Sequence, residues 1–258
     1  MPETGRTHRS EWLTGEIFDQ RPQTWRDLQD YVAQVFRETG CVNVETPYKL
    51  AGVRTTKEVD VYAEDTSVVP PIRIACECKH WTSAVPQGVV LEFRSVLEDS
   101  GVNRGFIISR AGFQSPGAHD ASRNTCIVLL DFEQFMALFF DSWLKVMSVR
   151  LDKATHRLFP FFDIYYFENL PELPKDKLQL FFDLQHKYRV LFSPATRIPD
   201  GRGAPISMAI TARNTAIIEP LKELGITSFR QFFDVLLTMA DQALIDFCSL
   251  FRVAPESL

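Results

Sequence analysis

Ile72-Arg73-Ile74-Ala75-Cys76-Glu77-Cys78-Lys79 and, upstream of it, Lys57-Glu58-Val59-Asp60-Val61-Tyr62-Ala63 decide the fold. Both stretches alternate in polarity with a period of two, the pattern of a β-strand with unlike faces. On the later one, Ile72, Ile74, Cys76 and Cys78 share one face, and Arg73, Ala75, Glu77 and Lys79 share the other. Asp65 to Pro71 turns the chain between them, because Pro70-Pro71 forbids helix. Two consecutive strands joined by a turn predict an antiparallel hairpin.

Working outward, Thr24 and Asp27 make a capping-box start, followed by Trp25, Leu28, Val32, Val35 and Phe36 at helical spacing and a left-handed stop at Gly40. Val42 and Val44 alternate with Asn43 and Glu45 as a short strand. A helix from about Pro86 to Asp99 carries a stripe of Val89, Val90, Phe93, Val96 and Leu97. Gly105 to Ser109 reads as a buried strand, and Ser115-Pro116 as the N-cap and first residue of a short helix ending near Arg123. Cys126 to Leu130 reads as another buried strand, and Asp131 with Gln134 caps a helix running to about Val149. The order is helix, three strands, helix, strand, short helix, strand, helix: an α/β sandwich around a mixed sheet.

Residues 1–21 are polar and aperiodic, and are expected to form an arm. Residues 22–150 hold the α/β domain, and 151–258 a mostly helical module crowded with phenylalanine. That module includes a polar loop from Pro194 to Pro205 and two or three helices from Thr215 to Val253. Its Phe-rich face is weighed as core or oligomer interface ahead of a ligand pocket. With 258 residues and 45% hydrophobic content the chain is an ordinary globular protein, neither disordered nor coiled coil. No apolar run is long enough to span a membrane and no secretory signal is visible, so a cytoplasmic location is expected. Five scattered cysteines fit a reducing compartment better than a disulfide framework. Zinc needs a convergent set, and the spacing of Cys41, Cys76, Cys78 and Cys126 does not supply one, so buried core thiols are expected.

One constellation carries chemistry: Asp60, then Glu77 and Lys79 after sixteen intervening residues. Glu77 and Lys79 lie two apart on a strand and so point to one face, and Asp60 on the preceding strand sits across from them in a suitable register. Two converging carboxylates repel unless a divalent cation lies between them, and oxygen-only ligands suit Mg²⁺, with Mn²⁺ able to substitute. Lysine beside such a site orients or helps deprotonate a water, or stabilises charge on a phosphate oxygen. The bare pattern also arises by chance on solvated strand faces, so its position on neighbouring strands behind a helix is what raises it.

Glu58-Val59-Asp60-Val61, Cys76-Glu77-Cys78-Lys79-His80-Trp81, Gly105-Phe106-Ile107-Ile108-Ser109, Gly112-Phe113 and the helix of Ala118 and Ala121 together resemble a Mrr-type restriction endonuclease domain of the PD-(D/E)XK nuclease superfamily. The resemblance covers roughly residues 22–140 and implies a restriction-endonuclease-like αβββαβ core. By it, Asp60 and Glu77 correspond to metal ligands and Lys79 to the catalytic lysine. Val59 stands where the family's proline precedes the aspartate, and Gln29 stands where related nucleases place a helix glutamate. Gln29 could still offer a neutral oxygen to the metal, and Glu45 the missing charge. The implied activity is metal-dependent cleavage of DNA, in restriction or defence. A non-catalytic nuclease-fold module and an RNA-cleaving nuclease are the alternatives.

The net charge of −5, of which −4 belongs to residues 1–150, argues against bulk electrostatic binding of nucleic acid. DNA contacts are therefore expected from a local set: Arg94, Arg104, Arg110, Gln114 and Arg123. His80 falls on the face opposite Lys79, and a structural or DNA-adjacent role is expected. Cutting both strands needs two sites or one acting twice, so a homodimer is expected. With no P-loop in the chain, any coupling to nucleotide hydrolysis falls to a partner, a regulatory or defence-system partner is expected, and the C-terminal module is expected to supply dimerisation, substrate recognition or control.

Overall fold

Thr24 Oγ1 accepts from Asp27 N at 3.1 Å while Asp27 accepts from Thr24 N at 2.8 Å, so the expected capping box opens α1 (Trp25–Glu38). The computed structural model describes residues 20–123, 125–163, 170–192, 226 and 228–255. These fall into two compact units, one spanning Gln20–Val146 and the other holding the described residues from Met147 onward.

In the first unit, Gly40 ends α1 with φ +93°, the left-handed stop expected. The chain then forms β1 (Val42–Glu45), β2 (Tyr48–Ala51), β3 (Thr56–Val59), β4 (Val61–Asp65) and β5 (Ile72–Lys79). After these come α2 (Gln87–Ser100), β6 (Arg104–Ser109), α3 (Gly117–Ser122), β7 (Ile127–Asp131) and α4 (Phe132–His156), whose last residues belong to the second unit. The main sheet has the order β1-β4-β5-β6-β7, antiparallel from β1 to β5 and parallel from β5 to β7. This is the mixed sheet expected, and β4–β5 is the expected hairpin.

Both faces of the sheet are covered. On one, Val90, Phe93 and Leu97 of α2 pack with Ala75, Ile107 and Tyr62, joined by Leu50 and Val59 of the β2–β3 hairpin. On the other, Phe106 meets Phe36 of α1 and Phe135 of α4, with Phe36 and Phe135 edge-on at 5.7 Å. Alternation along β6 thus sends Phe106 and Ile107 into opposite layers.

Four local expectations are corrected. The stretch read as one strand over 57–63 breaks at Asp60: β3 pairs with β2 in a separate two-stranded sheet, and only β4 joins the main sheet. Ser115 does not cap α3. Pro116 precedes the helix with no side-chain cap, and the first turn closes on main chain, Ala118 N donating to Gln114 O at 3.1 Å. β7 is an edge strand and only partly covered; it starts at Ile127, leaving Cys126 exposed and Cys41 half-buried, while Cys76 and Cys78 are the core thiols expected. Finally, α4 continues past Val149 to His156.

The second unit contains α5 (Phe159–Phe162), α6 (Leu178–Tyr188) and α7 (Phe229–Phe251), with short 3-10 turns at Lys175–Lys177 and Arg189–Phe192. Ser228 and Gln231 form a capping box at the start of α7. Phe161 lies flat on Phe247 at 4.7 Å, and Phe181 meets Phe251 edge-on at 5.6 Å, so these phenylalanines build a core. The loop expected at 194–205, the helical segment expected at 215–225 and residues 1–19 of the arm lie outside the described residues. No described helix is long and apolar enough to cross a membrane.

Candidate active site

β4 stops pairing with β5 at Val61 opposite Cys76, whereas β6 accompanies β5 to its end, Lys79 opposite Ser109. Past Cys76, β5 therefore has no strand on its β4 side, and Asp60 takes over that role. Its N–H donates to Cys76 O at 3.1 Å, and its Oδ2 accepts from Cys78 N at 2.6 Å. Its main-chain carbonyl accepts from Gln29 Nε2 at 2.8 Å, and the nearby Trp25 indole favours the ionised form of its carboxyl. Both α1 residues lie in its first turn and a half, so the helix start fixes the aspartate from above.

Glu77 and Lys79 share a face as the alternation requires, and Lys79 Nζ reaches Glu77 Oε2 at 2.5 Å. The two side chains are 17% and 18% exposed, a half-sheltered pair. Lys79 Nζ also sits 5.7 Å from the Trp81 ring centroid, a cation–π contact. Burial raises the pKa of Asp60, opposed by the Cys78 N–H, Lys79 and Trp25. Burial also raises that of Glu77, with Lys79 opposing and the Asp60 charge reinforcing. Burial pulls Lys79 down, but the Glu77 and Asp60 charges outweigh it and hold the ammonium above its ordinary value.

Two desolvated carboxylates facing one ammonium leave a formal charge of −1 in a sheltered pocket of oxygens. That donor set fits Mg²⁺ or Mn²⁺, since Mg²⁺ is commonly held by one or two carboxylates and keeps several waters. Gln29 is 4% exposed, and with its amide nitrogen committed to Asp60, its Oε1 makes no hydrogen bond to a described residue. It remains a neutral donor. Among the described residues no group of three His, Cys, Asp or Glu side chains converges as a metal cage. Glu45, exposed on β1 opposite Tyr62, does not join the pair.

The five residues named as DNA contacts do not form one patch. Arg110 follows β6 directly, its N–H donating to Lys79 O at 3.0 Å, and exposed Gln114 is tied to Val85 O at 2.9 Å, so both lie at the site's end of the sheet. Arg104 stands opposite Ile74, five residues back along β5 from Lys79, roughly 16 Å at strand rise. Arg123 ends α3 on the way to that far end and pairs with Asp120 at 3.2 Å. Arg94, midway along α2, pairs with Glu98 at 2.7 Å. His80 Nε2 lies 3.2 Å from Pro22 O, tying the lead-in of α1 to the end of β5. Trp25 and Trp81 were not legible as site residues. Trp25 read as core, yet it is 44% exposed and near the Asp60 carboxyl, and its only signal was position in the capped first turn.

Residues 21–139 match the family model described as a restriction endonuclease, Mrr_cat. No curated protein matches the chain. A solved structure titled "Crystal Structure of Protein of Unknown Function AF1548" is similar over 83% of this chain and 95% of that one, at 15% identity and a TM-score of 0.37, a level that carries no argument.

Proposed function

Starting from a Mrr-type restriction-endonuclease domain at residues 21–139, we propose that the protein hydrolyses DNA phosphodiester bonds with a divalent cation held by Asp60 and Glu77. The observation that carries this reading is the gathering of both carboxylates and Lys79 at the end of β5, sheltered and with one negative charge in excess. Gln29 Oε1 would be a further neutral ligand. Bound there, Mg²⁺ or Mn²⁺ supplies Lewis-acid polarisation of a phosphoryl oxygen and neutralises charge.

The chain's own residues do the rest. Asp60 is oriented by Cys78 N and, through its carbonyl, Gln29. The Glu77 and Asp60 charges hold the Lys79 ammonium above its ordinary value, against the pull of burial. Its part is to donate: it orients the attacking water and stabilises charge growing on the phosphate. The Trp81 ring supports that ammonium by a cation–π contact.

The test is incubation of the full chain with supercoiled plasmid and with single-stranded circular DNA, in Mg²⁺, Mn²⁺ or EDTA. Cleavage is expected with metal only, and Lys79→Ala or Asp60→Asn should lower it by about a hundredfold or more, the scale of losing a positioned charge. If neither DNA is cut with either metal, or the variants cut like wild type, the proposal fails. The neutral Gln29 favours a second reading, a non-catalytic nuclease-fold module that binds nucleic acid or assembles a complex. Mn²⁺ calorimetry separates the two, since a module without a metal site shows no heat dependent on Asp60. The same chemistry serves an RNA-cleaving nuclease, which matched DNA and RNA oligonucleotides distinguish. Restriction or defence follows from family analogy, and a cytoplasmic setting, a homodimer and a controlling partner belong to the same proposal.

A further inference from the structure

We infer that this site takes an unpaired DNA strand, with bases stacking on Trp25 and Trp81 beside the scissile phosphate, in preference to continuous duplex. The inference rests on the nuclease reading and narrows its substrate. Trp25 and Trp81 are 44% and 42% exposed, whereas Trp143 in the same unit is fully buried. Each exposed indole lies by the charged group: Trp25 stands near the Asp60 carboxyl and helps keep it ionised, and Trp81 lies under the Lys79 ammonium. Large apolar rings held half in water at the mouth of a charged site lose burial energy unless a ligand covers them. An unpaired base presents a free π-face to such a ring; in a duplex those faces are already stacked on each other.

The charge pattern points the same way. Affinity for duplex comes largely from neutralising many phosphates. Here Arg21, Arg54, Arg94 and Arg123 are each committed to a carboxylate. At the site's end, exposed Arg110, whose N–H donates to Lys79 O, and exposed Arg26, next to Trp25 in the first turn of α1, form no ion pair with a described residue. On a chain of net charge −5, two such cations among the described residues at this end give little electrostatic grip on a duplex, which leaves stacking to supply affinity.

The test uses the full chain in EDTA, so that binding is read without cleavage. The probes are a labelled twelve-nucleotide oligo-dT and a twelve-base-pair duplex, followed by anisotropy. Oligo-dT is expected to bind at least about tenfold more tightly than duplex. Trp25→Leu and Trp81→Leu should each weaken it by roughly five- to a hundredfold, the range of one lost stacking contact. Trp25→Phe keeps a ring without the indole N–H and should retain most of the affinity, which separates stacking from a polar role of the indole. A log–log salt slope shallower than about −2 is expected for so few phosphate contacts. Equal or tighter binding of duplex, or oligo-dT affinity unchanged in both leucine variants, overturns the inference. A chain that cuts DNA without strand preference refutes this inference and leaves the nuclease reading standing. One that cuts nothing yet holds oligo-dT through both tryptophans refutes only the nuclease reading.

Discussion

Gln29→Glu exchanges the amide that donates to Asp60 O at 2.8 Å for a carboxylate that cannot donate. The side chain is 4% exposed, so water cannot readily replace the lost partner. The lost bond is worth about 0.5–1.5 kcal/mol net, and an unsatisfied buried group costs about 1–3 kcal/mol. A third carboxylate also enters a site whose two existing ones already resist ionisation because of burial. The sum is a loss of about 2–4 kcal/mol in EDTA. For a unit of this size that is roughly 3–5 °C in unfolding midpoint per kcal/mol. Divalent cation should reverse the sign of the charge effect. A ligand at a hundred times its Kd adds about 2.7 kcal/mol to stability. If the added carboxylate tightens Mn²⁺ by tenfold, the variant gains about 1.4 kcal/mol more than wild type. The assay is scanning calorimetry of wild type, Gln29→Glu and Gln29→Met across a Mn²⁺ series. Gln29→Met should lose stability in EDTA and show no excess recovery. An unchanged midpoint for Gln29→Glu in EDTA would refute the hydrogen bond to Asp60. An equal Mn²⁺ increment in wild type and Gln29→Glu would refute a cation shared with that helix position.

Three further outcomes are expected. In Gly105→Ala the new Cβ overlaps Leu97 Cδ1 and comes within 2.8 Å of Phe93 Cε1, so urea unfolding should show a loss of about 1–3 kcal/mol, partly relieved by adding Leu97→Ala. Trp143→Phe removes the N–H that donates to Glu38 Oε2 at 2.7 Å, and should cost about 1.5–3 kcal/mol in the same assay. In the second unit, burial pushes Asp246 up, but donation from Tyr188 Oη at 2.5 Å, Gln242 and Lys187 outweighs it and holds the carboxyl below its ordinary 3.8. Its contribution is therefore present above that value and lost as pH falls through the lower folded pKa. Asp246→Asn should be less stable at pH 7 and lose less on acidification below about pH 4, as read by acid titration of helical circular dichroism.

The two stretches around Asp60 and Glu77 were legible because strand alternation is a local property. Glu77 and Lys79 had to share a face once β5 was a strand, and they do. The break at Asp60 was not legible, since a chain that leaves one sheet for another keeps its period of two on both sides. β2 was missed because four residues between Pro47 and Gly52 are too few to show a period. The roles of Trp25 and Gln29 depend on where the first turn of α1 lands against β4, a tertiary fact that no spacing in the sequence encodes. The arginines were chosen by charge alone, and the carboxylates that neutralise Arg94 and Arg123 lie three or four residues away on their own helices.

The switch of sheets at Asp60 also bears on how an inactive protein should be made. Its carboxylate stands in for a missing strand by occupying the Cys78 N–H, so the residue terminates a ladder as well as serving a reaction. Asp60→Ala would remove both duties together, and a silent protein could then be read as a dead site or as a frayed β5. Asp60→Asn leaves an oxygen for Cys78 and removes only the charge, which makes it the substitution able to tell chemistry from architecture.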